Sequence, residues 1–167
     1  EEEFKGKGVS YCATCDGFFF AGRDIIMVGG GNSALQEALY LKNLGANVTV
    51  VHRRDEFRAQ KHLQNQIKEA EIPTILNATV EEIKGEMLVE SVVLKDTKTN
   101  ELKELPINGI FLSVGYIPHT ELAKQLDINL DESGHIIIDK KQKTNVDYVY
   151  AIGDVCVGLK QWVVACG

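Results

Sequence analysis

The chain has 167 residues, 44% of them hydrophobic and 25% charged, and a formal net charge of -6. This length holds one ordinary domain, or one domain and part of another, and the composition is globular rather than disordered. The acidic balance speaks against a nucleic-acid partner, which needs a clustered basic surface, and no apolar run approaches a membrane span.

Taken in order, residues 1–10 are polar and glycine-spaced and read as a linker entering a short strand. Cys12-Ala13-Thr14-Cys15-Asp16-Gly17 follows, then Phe18-Phe19-Phe20, three aromatics expected to anchor the segment in a core, with a partner-binding patch as the alternative. Residues 24–28 form a short apolar run ending in glycine, which suits a buried parallel strand. Leu35, Leu39 and Leu44, with Ala34 and Ala38 beside them, have helical spacing over 32–44, and Gly45 is a good stop. Residues 47–51 are β-branched and read as the next strand, completing a βαβ unit of about 30 residues.

The spacing of Leu63 and Ile67 predicts a second helix over 58–70, closed by Pro73 and followed by a strand at 74–76. From 78 to 105 the period shifts towards two. Leu88, Val92, Val93 and Leu94 are assigned to strands, with a hairpin turn at Lys98-Thr99-Asn100-Glu101. Residues 110–112 are a strand leading to Gly115 and Pro118. Beyond Pro118 the pattern predicts a helix at 120–126 and strands at 136–138 and 148–152, the last ended by Gly153-Asp154. The sequence closes inside an apolar stretch, Trp162 to Cys166, with no polar tail. The expected fold class is α/β. A Rossmann-like, three-layer nucleotide-binding unit with a parallel sheet plus β-meander spans 1–118, and a partial second unit spans 119–167.

A dinucleotide turn needs glycine where the backbone bends and where it meets the pyrophosphate, and a small residue where the helix packs on the strand. Gly29, Gly31 and Ala34 occupy those places, after a strand and before a helix. Asn32 or Ser33 is expected to cap that helix, whose free N–H groups favour phosphate. NAD-binding turns carry an acidic residue about 20 positions on. Here His52-Arg53-Arg54 stands instead, with Arg58 beyond, and an arginine fork matches a phosphate. The expectation is NADPH over NADH. The plain alternatives are a turn without ligand and a solvated basic face with Asp55 and Glu56 as counter-ions.

No basic leader precedes an apolar run, so cytoplasm is the expected compartment, where a Cys-x-x-Cys pair is redox-active or metal-binding more often than structural. For redox work one sulfur should be exposed and the other resolves the mixed disulfide. Asp16 is placed by sequence to move a proton to or from a departing thiolate. Zinc needs four ligands, and Cys156 and Cys166 supply no second Cys-x-x-Cys. A thioredoxin-like fold would follow the pair with a different pattern. Cys156 and Cys166 read as small buried hydrophobes. The histidines show no metal spacing, and no metal site is assigned.

These motifs, in this order and spacing, resemble low-molecular-weight thioredoxin reductase. The match rests on Cys12-Ala13-Thr14-Cys15-Asp16-Gly17, Gly29-Gly30-Gly31-Asn32-Ser33-Ala34 and His52-Arg53-Arg54-Asp55-x-Phe57-Arg58-Ala59. Gly115-x-x-Pro118 and Tyr150-Ala151-Ile152-Gly153-Asp154-Val155 add to it. The resemblance implies electron flow from NADPH to FAD, to a redox disulfide of Cys12 and Cys15 with Asp16 as acid/base, and on to thioredoxin. It implies NADPH contacts at His52 and Gly115, 2′-phosphate contacts from Arg53, Arg54 and Arg58, and FAD contacts from Gly153, Asp154, Lys160 and Gln161. Lys160 stands where the family usually has arginine. The family works as a homodimer and carries a second glycine fingerprint, for FAD, upstream of everything in this sequence. The expectation is therefore a chain lacking the first half of its flavin domain. Such a chain is expected to bind FAD weakly or not at all, to be inactive without that half, and to leave apolar surface over 136–167 that pairs with another copy or is disordered. Two other readings stand beside it: a non-catalytic NADP(H)-binding module, and the flavoprotein reductase of a peroxiredoxin, which usually carries Pro-His between its cysteines.

Overall fold

The structure, a computed structural model, describes residues 2–115 and 117–158. The chain divides into two compact units, 1–114 and 115–167, so the division falls just short of Pro118. Lys160, Gln161 and Cys166 lie outside the described residues.

In the first unit a short 3-10 turn, Glu2–Phe4, leads to β1 (Val9–Ser10), α1 (Ala13–Asp16) and a 3-10 turn at Gly17–Phe20. Then come β2 (Asp24–Val28), α2 (Asn32–Asn43), β3 (Asn47–Val51), α3 (Lys61–Glu69) and β4 (Thr74–Ile75). The meander β5 (Ala78–Lys84), β6 (Ser91–Asp96) and β7 (Leu102–Pro106) follows, and β8 (Gly109–Leu112) returns to the first sheet. That sheet is parallel, in the order β1-β8-β2-β3-β4; the meander is a separate antiparallel sheet.

The two faces of the parallel sheet follow from the period of two along each strand. Ile25, Met27, Val48, Val50 and Phe111 face Leu35, Ala38 and Leu41 of α2 and Leu63 and Ile67 of α3. Their neighbours Ile26, Val51 and Ile110 face the meander through Ala78, Val92 and Leu94. Strands buried on both sides read as continuous apolar runs, as 24–28 does. Each fully buried Ile or Leu here is worth roughly 1.5–3 kcal/mol. The result is a three-layer arrangement of helices, parallel sheet and meander.

Several expectations are corrected. The second helix begins at Lys61 rather than 58. Residues 58–60 instead fold back on the glycine turn, with the Arg58 and Ala59 N–H groups both donating to Gly30 O (2.8 and 3.0 Å). Leu88 lies in an exposed loop outside any strand, so its apolar side chain is not part of the period-two pattern. Of the three phenylalanines only Phe20 is an anchor, its ring edge-on to Phe111 at 5.2 Å; Phe18 and Phe19 are 73% and 66% exposed. A 3-10 turn cannot put three successive side chains on one face, so one goes in and two stay out.

In the second unit α4 (Glu121–Gln125) forms where a helix is expected. The runs 136–138 and 148–152 do not become strands: Ile136 and Tyr150 make only isolated bridges, to Leu130, Cys156 and Lys143. A β-branched run needs a neighbour along its length to become a strand, and these meet partners at single residues. A small core of Ala123, Ile128 and Ile136 holds this unit. Cys156 is fully buried, and burial pushes its thiol above the ordinary range, as expected of a small hydrophobe. Among the described residues no helix is long and apolar enough to cross a membrane.

Candidate functional site

The strands of the main sheet run parallel, so their carboxyl ends share one edge, where α/β folds place their ligands. Four sequence motifs meet there. The cysteine segment follows β1, the glycine turn follows β2, the arginine loop follows β3 and Ser113-Val114 follows β8. With strands about 4.8 Å apart, the cysteine segment lies on the order of 10 Å along this edge from the glycine turn. The arginine loop is one strand beyond the turn on the other side.

Cys12 and Cys15 are joined by a disulfide, with Cα atoms 5.3 Å apart. Cys12 caps the single turn of α1, its sulfur accepting from the Cys15 N–H at 3.2 Å. Cys12 is half-buried and Cys15 exposed, an asymmetry that suits exchange chemistry, which needs an accessible thiol. Gly17 explains how the segment is seated: a Cβ there would meet Leu41 Cδ2 at 2.6 Å, so glycine lets α1 pack directly on α2. Asp16 is half-buried, and one of its carboxylate oxygens accepts from the Ser10 hydroxyl at 2.6 Å.

At the glycine turn the three glycines do different work. Gly29 has φ +151, and a Cβ there would run into the Ser113 carbonyl oxygen and Ala34 Cβ. Gly30 lies flat on the His52 ring, which leaves no room for a side chain. Gly31 faces open space and precedes the N-terminus of α2. That helix has no side-chain cap, which corrects the capping role expected of Asn32 or Ser33. Asn32 turns outward instead, its Oδ1 accepting from the Gln60 N–H at 2.8 Å, and Ser33 is exposed. Open space above free helix N–H groups fits a pyrophosphate. The helix N–H groups that a capping side chain would have taken stay free.

Arg53, Arg54 and Arg58 are all exposed. Arg58 sits on the loop and not on a helix, yet it is held close by its backbone bond to Gly30. Among the described residues no carboxylate lies within ion-pair distance of any of the three, and Asp55 pairs with Lys98 at 3.8 Å instead. His52 is buried beneath Gly30 and stacked on Phe57 at 5.6 Å, and its Nε2 has no hydrogen-bond partner among the described residues. Burial pushes its imidazole below the ordinary histidine range. A hydrogen bond donated by the ring to the Glu56 backbone opposes this, and the charges of Arg54, Arg53 and Arg58 add to it. All three arginines therefore act on one point beside the turn, and their unbalanced charge fits a phosphate.

Because the folded protein keeps His52 neutral while the unfolded chain takes up a proton near pH 6.5, the sign is fixed. Its contribution to stability is complete above about pH 6.5 and is lost as pH falls below that towards the lowered value. The urea midpoint is expected to fall between about pH 7.5 and pH 5.5, and His52→Phe, which keeps a ring on Phe57, is expected to reduce that slope. An unchanged slope in the variant would show that His52 does not titrate this way.

Sequence reasoning singled out the cysteines, Asp16, the glycines and the arginines, but it missed Ser10 and the outward turn of Asn32. A single serine before a cysteine motif carries no periodic signal, and both contacts are set by tertiary approach. Gly115 follows β8 with φ +110, and Gly153 opens a 3-10 turn, Gly153–Val155, with Asp154 exposed; both belong to the second unit.

The whole chain, residues 1–167, matches the family described as pyridine nucleotide-disulphide oxidoreductase. It is 47% identical to the thioredoxin reductase of Peptoclostridium acidaminophilum, covering 99% of this chain and 55% of that protein. It is 45% identical to that of Listeria innocua, covering 100% and 53%. The crystal structure of Lactococcus lactis thioredoxin reductase superposes with a TM-score of 0.87 at 44% identity, over 99% of this chain and 55% of that one. The chain spans about half the length of the relatives it matches. It belongs to the pyridine nucleotide-disulphide oxidoreductase family, where it lines up with about half of a thioredoxin reductase.

Proposed function

We propose that this chain is the NADPH-binding, disulfide-bearing part of a flavoprotein that reduces thioredoxin. The observation that carries the reading is the Cys12–Cys15 disulfide, with Asp16 behind it, on the same sheet edge as an open glycine turn and three uncompensated arginines. When bound, NADPH supplies the electron pair and FAD relays it to the disulfide.

The residues of the chain do the rest. The α2 N-terminus and Gly31 receive the pyrophosphate, and Arg53, Arg54 and Arg58 take the 2′-phosphate. The arginines lie on the β3 side of the turn and the cysteines on the β1 side. Asp16 takes and returns the proton of the sulfur that leaves or attacks. Phe18 and Phe19 offer an exposed apolar contact two and three residues beyond Asp16, suited to a protein substrate. Gly115 adds an NADPH contact, and Gly153 and Asp154 contribute to the FAD site. The same reading has residues 1–118 as the nucleotide domain, 119–167 as part of the flavin domain, and the enzyme as a cytoplasmic homodimer.

The test is binding and turnover. The chain alone is expected to bind NADPH with NADH at least about tenfold weaker, since a phosphate–arginine contact is worth roughly 1.5–3 kcal/mol. Reduction of thioredoxin by NADPH is expected only when the flavin half is supplied. Equal affinity for the two nucleotides would remove the phosphate assignment, and steady turnover by the chain alone would remove the division of labour.

A further inference from the structure

Ser10 ends β1 and is 4% exposed. Its hydroxyl oxygen lies 2.6 Å from Asp16 Oδ2 and 3.4 Å from the Cys12 carbonyl oxygen, and it accepts from the Cys12 N–H at 3.1 Å. A hydroxyl has one hydrogen to give. The short contact to the carboxylate claims it, and the Cys12 N–H fills a lone pair. One buried side chain thus ties the rigid end of a strand to the backbone of the first cysteine and to the carboxylate behind the second. Hydrogen bonds of a hydroxyl to a carboxylate are short and strong.

We propose that Ser10 is the positioning residue for proton transfer at the Cys12–Cys15 pair, acting through Asp16. The inference rests on the reading of Asp16 as the acid/base. In the exchange the dithiol gives two electrons to a disulfide partner. Two S–H bonds break here as the Cys12–Cys15 bond forms, the partner's S–S bond breaks, and both protons end on the partner's sulfurs. Asp16 carries one of those protons in passing. With Oδ2 held by Ser10, the carboxylate cannot swing into solvent, and Oδ1 is the oxygen that meets the sulfur's proton. A serine needed only to satisfy the strand end would have no reason to act through that carboxylate. Loss of its bond would then cost stability without changing how the rate responds to Asp16.

The experiment uses the whole chain, reduced to its dithiol form and mixed with a bacterial thioredoxin in its disulfide form. Free thiols are trapped over time at a series of pH values. Asp16→Asn is expected to slow the exchange about a hundredfold. Ser10→Ala is expected to slow it about tenfold, the kinetic weight of one hydrogen bond to a charged group, with a shifted pH–rate profile. Ser10→Thr, which keeps the hydroxyl, restores the rate, and Ser10→Ala adds nothing in the Asp16→Asn background. Should Ser10→Ala not fold, Ser10→Gly carries the same comparison. The proposal is overturned by a native rate and profile in Ser10→Ala, or by the same tenfold loss when Asp16 is already asparagine. A native rate in Asp16→Asn itself would instead overturn the acid/base reading, and the role of Ser10 with it.

Discussion

Replacing Arg53, Arg54 and Arg58 together by alanine is expected to weaken NADPH binding by about two to three orders of magnitude and to leave NADH binding within about threefold. The magnitude follows from two or more charge-assisted contacts to one phosphate, each worth roughly 1.5–3 kcal/mol. The selectivity follows from geometry. The three side chains are exposed, have no carboxylate partner among the described residues, and bear together on His52 beside the glycine turn. Asp55, the nearest candidate counter-ion by sequence, is engaged with Lys98. Because the arginines are surface groups, the triple variant should unfold within about 0.5 kcal/mol of the native chain, so that lost binding is not lost fold. The measurement is titration of each nucleotide against the native and variant chains at two salt concentrations. NADPH affinity of the native chain should fall with added salt much more steeply than NADH affinity. Equal losses for both nucleotides would show a generic basic face.

Arg58 illustrates what the sequence could and could not show. Its place four residues after Arg54 suggested a helical neighbour. In the structure Arg58 is instead drawn to the turn by its own N–H on Gly30 O, before α3 begins. The parallel strands, α2, its glycine stop and the hairpin at 98–101 were legible because each rests on local chemistry: an apolar run, a period, a φ that only glycine takes readily. Phe18 and Phe19 were misread because hydrophobicity alone does not say which of three adjacent rings a 3-10 turn sends inward. The strands expected at 136–138 and 148–152 failed for the complementary reason. Their composition suits a sheet, but pairing is a property of the neighbours and not of the run. Ser10 was invisible because its meaning lies in a contact to Asp16 that exists only once β1 and α1 are folded.

Gly29 and Gly31 are expected to part company on substitution, and the contrast tests the reading of the turn more sharply than either alone. At Gly29 an alanine must hold φ near +151 and push its Cβ into a backbone carbonyl, that of Ser113, whose N–H is bound to Val28 O just past β8. Strain and overlap together cost on the order of 4 kcal/mol, enough to unfold a marginal domain. At Gly31 the backbone is extended, with φ -90, and a Cβ meets nothing within 4 Å. The small loss of a good N-cap residue is offset by the lower entropy of the unfolded chain, so stability should stay within about 0.5 kcal/mol. The open space that makes Gly31→Ala harmless to the fold is the space assigned to the pyrophosphate. The variant should therefore fold normally and bind NADPH at least about tenfold more weakly, as expected when a close backbone approach to a charged group is lost. Urea unfolding and nucleotide titration on the same two variants give the answer. If Gly31→Ala binds NADPH like the native chain, the pyrophosphate does not lie over that residue. If Gly29→Ala is as stable as the native chain, the turn has relaxed into a form that any residue can take.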